Sequence, residues 1–483
     1  MTRPDVSWLT LLPTLIVLGT ALVVLLADLW TEGPDREGLG WIGIVGLLVA
    51  AVASATLWNT REVGFAGGYT IDRYTIFFNL IFALAGCLTL LMSMDYLERT
   101  DIKTGEYYAL VLFAIAGMLM MAAGTDLIVI FLGLEVMSIA VYCLTGIWRR
   151  DMRSNEAALK YFLLGAFATG FLLFGIALIY GACGTTALGT VAAQLAAKGS
   201  TPHGLIFAGV ALLLVGFAFK VAAVPFHAWA PDVYQGAPTS VTALMAVGVK
   251  AAAFAAFARI FLHTLAPLAT DWAGAMRVLA VLTMTVGNVI AIAQRNIKRL
   301  LAYSSISHAG YILIGMVAAG TDGGTAVLYY LLVYSFMTLG AFAVVIALGK
   351  RGEPNEDLDD YAGLGFKHPF LGFSMTVFML SLAGVPTLAG FTGKFYLFTA
   401  AVDTGHVDLA IVGVLNSVIS MYYYLGVPIR MYMADGPKEI PGTAHRPYLV
   451  ATLLIASIGT VFLGLFPSWA LELARSAYLS LST

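Results

Sequence analysis

Long apolar runs, each bounded by a short charge cluster or a Gly/Pro break, recur along the whole chain. A helix needs about 20 mostly apolar residues to cross a bilayer, where no water can satisfy a free backbone group. Read between the breaks, the runs place spans at 8–30, 40–58, 74–95, 107–122, 126–147, 157–181, 204–224, 238–262, 272–293, 300–319, 324–349, 369–400, 408–433 and 448–470. Only 11% of residues are charged against 60% apolar, too little to coat soluble domains, which carry about 25%. A net charge of −2 offers no basic face for nucleic acid. Three cysteines, Cys87, Cys143 and Cys183, make neither a disulfide framework nor a zinc cluster. The expectation is an all-α polytopic membrane protein of about fourteen transmembrane helices. The first run is too long for a signal h-region and lacks a small-residue cleavage site after it, so it is read as retained.

Charge placement orients the chain. With the N-terminus outside, the odd-numbered loops hold Arg36, Arg99, Lys103, Arg149, Arg150, Arg153, Arg295, Lys298, Arg299, Lys350, Arg351, Lys367, Lys438 and Arg446. The opposite side holds Arg3, Arg61, Arg73, Lys198 and Arg475. Basic loops stay cytoplasmic, so both termini are expected on the outer side.

An internal repeat is legible in the middle of the chain. A shift of 169 residues lays Ser138, Tyr142, Gly146, Tyr161, Phe167 and Thr169 on Ser307, Tyr311, Gly315, Tyr330, Phe336 and Thr338. A changed offset lays Phe217, Val224 and Pro225 on Phe378, Val385 and Pro386. The unit is spans 4–8 repeated as spans 9–13, and five crossings invert the second copy. The divisions expected are an N-terminal three-helix segment (1–106), the first repeat (107–262), the second, inverted repeat (272–433) and a C-terminal helix (448–483). The shared Val-Pro step breaks spans 7 and 12 by removing a backbone donor and freeing a carbonyl. Broken helices at matching places point to a transport path near the midplane.

Charge inside the spans carries the chemistry. Arg259, Arg277 and Arg430 lie near helix ends, where snorkelling explains them. Lys160 follows Glu156 by four residues, so a local ion pair and a functional role both stay open. Lys250 lies about 18 Å into span 8 and Glu135 about 14 Å past Asp126. Lys220 precedes Pro225 by five residues and Lys394 follows Pro386 by eight. A charge at the bilayer centre costs about 2.5–3.5 kcal/mol on insertion scales, a heavy burden for packing that leucine could do. One account is a Glu135–Lys220 salt bridge with Lys250 and Lys394 bound to carbonyls. The favoured account is a relay of ionisable groups across the membrane plane. A lysine balanced between burial and an ion pair changes protonation when its partner moves, which arginine does not.

Two further polar groups qualify. Ser304, Ser307, His308 and Tyr311 share one face of span 10, as interhelical glue or as a water wire. His227 and Asp232 lie where span 7 turns into span 8, and His227 is taken as a candidate beside the simpler reading of turn capping. Gly393-Lys394 is followed by Phe395 rather than Ser or Thr, so it is no phosphate loop, and no G-x-G-x-x-G follows a strand.

The stretches 131-FLGLEVMSIAVY-142, 217-FAFKVAAVPFHAWAPDVYQGAPTS-240, 246-AVGVK-250 and 390-GFTGKFYLF-398 resemble the antiporter-like membrane subunits of respiratory NADH:quinone oxidoreductase, complex I. The PDVYQGAPT wording is most similar to the subunit N group of the bacterial enzyme. The resemblance runs over nearly the whole chain. It implies an ion pair of Glu135 with Lys220, a central Lys250, and Lys394 as the ionisable residue of the broken twelfth helix. It further implies proton translocation coupled to quinone reduction in partner subunits. NADH, FMN, iron–sulfur clusters and quinone would belong to those subunits and no redox centre to this chain. The expected partners are a neighbouring antiporter-like subunit, small membrane subunits and the lipid bilayer. The expected location is the bacterial inner membrane. Multisubunit cation/proton antiporters share the Glu and Lys pattern and are the alternative; a structural scaffold fits the fold but not the buried charges.

Overall fold

Capping residues and helix breakers set where the helices begin and end. The computed structural model describes residues 7–31, 36–100, 102, 104–197, 203–349, 355–436 and 446–481. Of the basic residues used to orient the chain, Arg3, Lys103, Lys198, Lys350, Arg351 and Lys438 lie outside the described residues. The order begins with α1 (Trp8–Trp30), α2 (Glu37–Thr56), a hairpin of β1 (Glu62–Gly64) and β2 (Tyr69–Ile71), α3 (Arg73–Thr100) and α4 (Glu106–Ala123). It continues with α5 (Leu127–Thr145), α6 (Met152–Cys183), α7 (Leu188–Ala197), α8 (His203–Lys220) and α9 (Trp229–Gly236). Then come α10 (Thr239–Thr264), α11 (Ala266–Ile292), α12 (Ile297–Ala318) and α13 (Gly320–Leu348). The last helices are α14 (Pro369–Ala383), α15 (Ala389–Asp403), α16 (Val407–Met433), α17 (Pro447–Leu465) and α18 (Pro467–Leu479).

Among the described residues, twelve helices are long and apolar enough to cross a membrane: α1–α6, α10–α13, α16 and α17. Predicted span 12 is split into α14 and α15, while span 7 becomes α8, with α9 following it beyond an unwound stretch. Span 7 stops earlier than expected. Its helix ends at Lys220, and Val224 N donates to Thr283 Oγ1 at 2.9 Å instead of to a helical carbonyl. The expected last span is shorter too: α17 ends at Leu465 because Pro467 starts a separate helix. Neither α7 nor α18 was foreseen. The 18-residue apolar windows of α10 and α12 are wholly buried and those of α3 and α13 are 89% buried, against 33% for α1, α6 and α17. Helices α3, α10, α12 and α13 thus form the interior, and α10 and α12 carry deep polar residues.

The repeat has a structural signature. Asp126 caps α5 by accepting the Ile128 amide at 2.8 Å, and Asn296 caps α12 by accepting the Lys298 amide at 3.0 Å. Asp126 pairs antiparallel with Ala187, and Asn296 pairs likewise with Asp357. Leu127 N donates to Thr186 O and Leu188 N to Thr125 O, while Ile297 N donates to Glu356 O and Leu358 N to Arg295 O. Five crossings separate the two bridges, so they lie on opposite faces. Close helix packing repeats as well. A Cβ on Gly117 of α4 would lie 2.4 Å from Met137 N of α5, and one on Gly287 of α11 would lie 2.8 Å from Ser307 N of α12.

Arg259 corrects the snorkelling expectation. Its side chain is 6% exposed and pairs with Asp72 of similar burial at 3.4 Å. It also donates to Ala122 O at 2.8 Å and lies 4.8 Å from the Tyr74 ring centroid. Lys298, assigned to a loop, is buried as well, donating to Ala237 O at 2.7 Å beside Glu356 at 3.3 Å. Arg277, by contrast, is 42% exposed and meets Asp408, and Arg430 is 42% exposed too, as expected of helix-end residues.

Two outcomes follow from this packing. Arg259→Met strands the Asp72 carboxylate and is expected to cost about 3–5 kcal/mol, read as a lower thermal unfolding midpoint, with Asp72→Asn in addition restoring most of the loss. Gly117→Val separates α4 from α5 and is expected to cost about 1–3 kcal/mol in the same assay. An unchanged midpoint in either single variant contradicts the packing.

Candidate functional site

Each deep lysine reaches its position through an irregularity in its helix. Lys220 is the last residue of α8, at the start of the unwound segment that leads to α9. Lys250 directly follows a π-helical turn, Met245–Val249, inside α10. Lys394 sits on α15, just past the break that ends α14. All three are at least 95% buried, with exposures of 5%, 3% and 3%.

None of the three meets a carboxylate at ion-pair distance among the described residues. Lys220 Nζ donates to Ser138 Oγ at 2.8 Å and lies 5.9 and 5.6 Å from the Tyr142 and Tyr161 ring centroids. Lys250 Nζ donates to Ser305 Oγ at 2.5 Å and to the Ser305 carbonyl, with Tyr334 at 5.8 Å. Lys394 Nζ donates to Leu382 O, Ala383 O and Ser417 Oγ, each at 3.0 Å, and lies 4.6 Å from the Tyr311 centroid. The Leu382 and Ala383 carbonyls close α14, so Lys394 sits at the negative end of a helix dipole.

The expected Glu135–Lys220 pair is not made. The ammonium binds Ser138, three residues further along α5, and Glu135 Oε1 is buried without a hydrogen-bond partner. Ser138 can accept because its own hydroxyl proton goes to Leu134 O.

Between Lys250 and Lys394 lies a hydrogen-bonded polar layer. His308 is fully buried, with Nδ1 2.6 Å from Tyr330 Oη and Nε2 2.9 Å from Tyr424 Oη. Tyr424 Oη also bonds Ser304 Oγ, next in sequence to the Ser305 that holds Lys250. Tyr423 donates to Asn288 Oδ1 at 2.8 Å, and Asn288 Nδ2 donates to Tyr311 Oη at 3.2 Å, under Lys394. Sequence reasoning missed Asn288, Tyr330 and Tyr424. A lone amide inside an apolar span was the available signal for the first. Of the span-10 stripe, Ser304, His308 and Tyr311 enter this layer, while Ser307 turns back onto Ser304 O at 2.8 Å.

Lys160 and His227 stand apart from that layer. Lys160 pairs with Glu156 at 2.7 Å, as its spacing suggests, and also with Asp232 of α9 at 2.9 Å. Asp232 in turn meets Arg299 of α12 at 2.7 Å, beside a cleft of about 230 Å³ lined by Arg153, Glu156, Lys160 and Gln235. His227 lies in the unwound segment with Nδ1 buried and unpartnered.

The family described as NADH:quinone oxidoreductase/Mrp antiporter, TM, matches residues 124–420. The chain is 47% identical to NADH-quinone oxidoreductase subunit N of Trichlorobacter lovleyi, over 97% of this chain and 96% of that one. It is 45% identical to subunit N 2 of Roseiflexus castenholzii, over 99% and 97%. Respiratory complex I from Thermus thermophilus contains a chain of like structure, with a TM-score of 0.81, 36% identity, and coverage of 96% and 99%. A chain of the Mrp complex from Dietzia shares the fold, with a TM-score of 0.85 at 24% identity, over 98% and 97%. Match, identity and coverage agree: this chain belongs to the family of antiporter-like membrane subunits of NADH:quinone oxidoreductase and Mrp complexes, beside the subunit N proteins.

Proposed function

We propose that the chain is a proton-translocating subunit of an NADH:quinone oxidoreductase, seated in a bacterial inner membrane with both termini outside. Its partners are a neighbouring antiporter-like subunit and smaller membrane subunits. NADH, FMN, iron–sulfur clusters and quinone act in other subunits, and this chain receives their energy as a conformational or electrostatic change. The observation that carries the proposal is the set of three buried lysines held by hydroxyls, carbonyls and rings. An ammonium with no carboxylate bound to it can give up its proton without stranding a buried anion. Lysine is the cation suited to this, since it exchanges its proton where arginine holds on.

In this reading Glu135 and Lys220 form the receiving end. Glu135 and Ser138, the present partner of the Lys220 ammonium, are one helical turn apart on α5, so a small shift of Lys220 from Ser138 toward Glu135 makes the ion pair. Removing positive charge from the Lys220 end favours protonation of Lys250. The layer of Ser304, Tyr424, His308 and Tyr330 then supplies hydroxyl and imidazole groups between Lys250 and Lys394. Subunit N relatives at 43–47% identity favour the oxidoreductase over the cation/proton antiporter, whose representative shares the fold at 24%.

Replacement of Lys220 or Glu135 by Ala is expected to lower NADH-driven proton pumping in membrane vesicles at least severalfold, with the assembly intact on native gels. Normal pumping in both variants sinks the relay. His308→Phe, which keeps a ring but loses both hydrogen bonds to Tyr330 and Tyr424, is expected to slow pumping more than it lowers stability. Deletion of the chain should abolish NADH-linked respiration; a loss confined to sodium or pH tolerance favours the antiporter.

A further inference from the structure

We propose that the cleft between the α2–α3 connection and α18 binds the phosphate of an anionic phospholipid. The cleft holds about 470 Å³ and is lined by Trp58, Asn59, Arg61, Arg73, Arg475 and Ser476 among others. That volume lies in the range of about 300–1,000 Å³ usual for small-ligand sites.

The first argument is scarcity. The loops and tails opposite the basic loops carry Arg3, Arg61, Arg73, Lys198 and Arg475, and three of these five line this cleft; Arg259 and Arg277, at helix ends on that side, are spent on Asp72 and Asp408. Basic residues are sparse on that side throughout, so their convergence calls for a ligand rather than for orientation of the chain.

The second is preorganised charge. Arg73 is fixed by donating to Trp58 O at 3.3 Å, Ser476 Oγ at 2.8 Å and Asn59 Oδ1 at 3.0 Å, all neutral acceptors. Among the described residues, Arg61, Arg73 and Arg475 form no ion pair. Of the two acids that line the cleft, Asp72 is spent on Arg259 and on the Thr75 amide at 2.7 Å. Glu472 alone remains against three guanidinium groups. Arginine forks match a phosphate through paired N–H donors.

The third is level. The 13-residue helix α18 is too short to cross a bilayer. It begins beside Phe466 and Trp469, each 61% exposed, and ends at Leu479, 42% exposed and lining the cleft. Exposed aromatic residues beside a short helix mark the headgroup depth of a membrane. An acyl chain would leave the cleft along this apolar rim, which a free phosphate does not need.

The test uses the purified assembly containing the full chain, delipidated in mild detergent and titrated with phosphatidylglycerol, phosphatidylcholine or inorganic phosphate. Retained lipid is counted by mass spectrometry. Phosphatidylglycerol is expected to bind and phosphatidylcholine not. Arg61→Gln with Arg475→Gln, both exposed positions, should weaken retention about tenfold or more. The control pair Arg149→Gln with Arg150→Gln, on the other side, should change nothing. Arg61→Gln alone, outside any helix, gives the same reading with a smaller loss if the double variant fails to assemble. Equal retention by variant and parent overturns the proposal, as does equal retention of phosphatidylcholine. Displacement of the lipid by millimolar phosphate overturns the lipid assignment in favour of the free anion.

Discussion

An ammonium group inside a bilayer must be solvated by the protein, and much of this fold follows from doing that three times. Water is absent there, so every donor needs an acceptor supplied by the chain. A carbonyl inside an intact helix has one lone pair left, as Ser305 offers Lys250, whereas the last carbonyls of a broken helix are wholly free. The break after α14 frees the Leu382 and Ala383 carbonyls that hold Lys394. The π turn before Lys250 and the end of α8 at Lys220 are further departures from helical regularity at the same residues. Arg259 shows the other solution. It is held by a carboxylate, a carbonyl and a ring, and so stays fixed in charge and place. The lysines keep to neutral acceptors.

The inverted repeat supplies the same aromatic ring twice. Tyr142 and Tyr311 are equivalent under the 169-residue shift, and one lies beside Lys220 while the other lies beside Lys394. The two lysines do not match. Lys220 precedes its break on α8, and Lys394 follows its break on α15. The ring is shared but the hydroxyl is not: Ser138 of α5 holds Lys220, whereas Ser417 of α16 holds Lys394, and each half feeds its cation in from a different side of the break.

Periodicity and charge made the spans, the repeat and the deep lysines legible, because each is a property of residue type at a fixed spacing. Partner choice was not legible. Lys220 to Ser138 rather than Glu135 is a matter of one helical turn, below what spacing along one chain resolves. Asp72 lies outside the predicted spans, and only the packing of α10 against α3 brings it to Arg259. Lys298 read as part of a basic loop, although the bridge between Asn296 and Asp357 draws it inside. Tyr424 lies in a run of three tyrosines, and nothing in the run says which one meets His308.

The energies indicate where such a structure can move. Lys250 and Lys394 are buried, and withdrawing either from its acceptors exposes a charge to hydrocarbon at a cost of several kcal/mol. The ion pairs that tie α9 to its neighbours are different in kind. Lys160 is 43% and Asp232 40% exposed, and such pairs are worth about 0–1 kcal/mol each. Asp232 joins α6 of the first repeat to α12 of the second, so these inexpensive contacts bridge the two halves. Between that clamp and Lys220 runs the unwound stretch 221–228, with His227 Nδ1 unpartnered inside it. The weakest contacts between the two halves thus lie at α9, next to the stretch that leads to Lys220, and the costliest lie at the buried lysines.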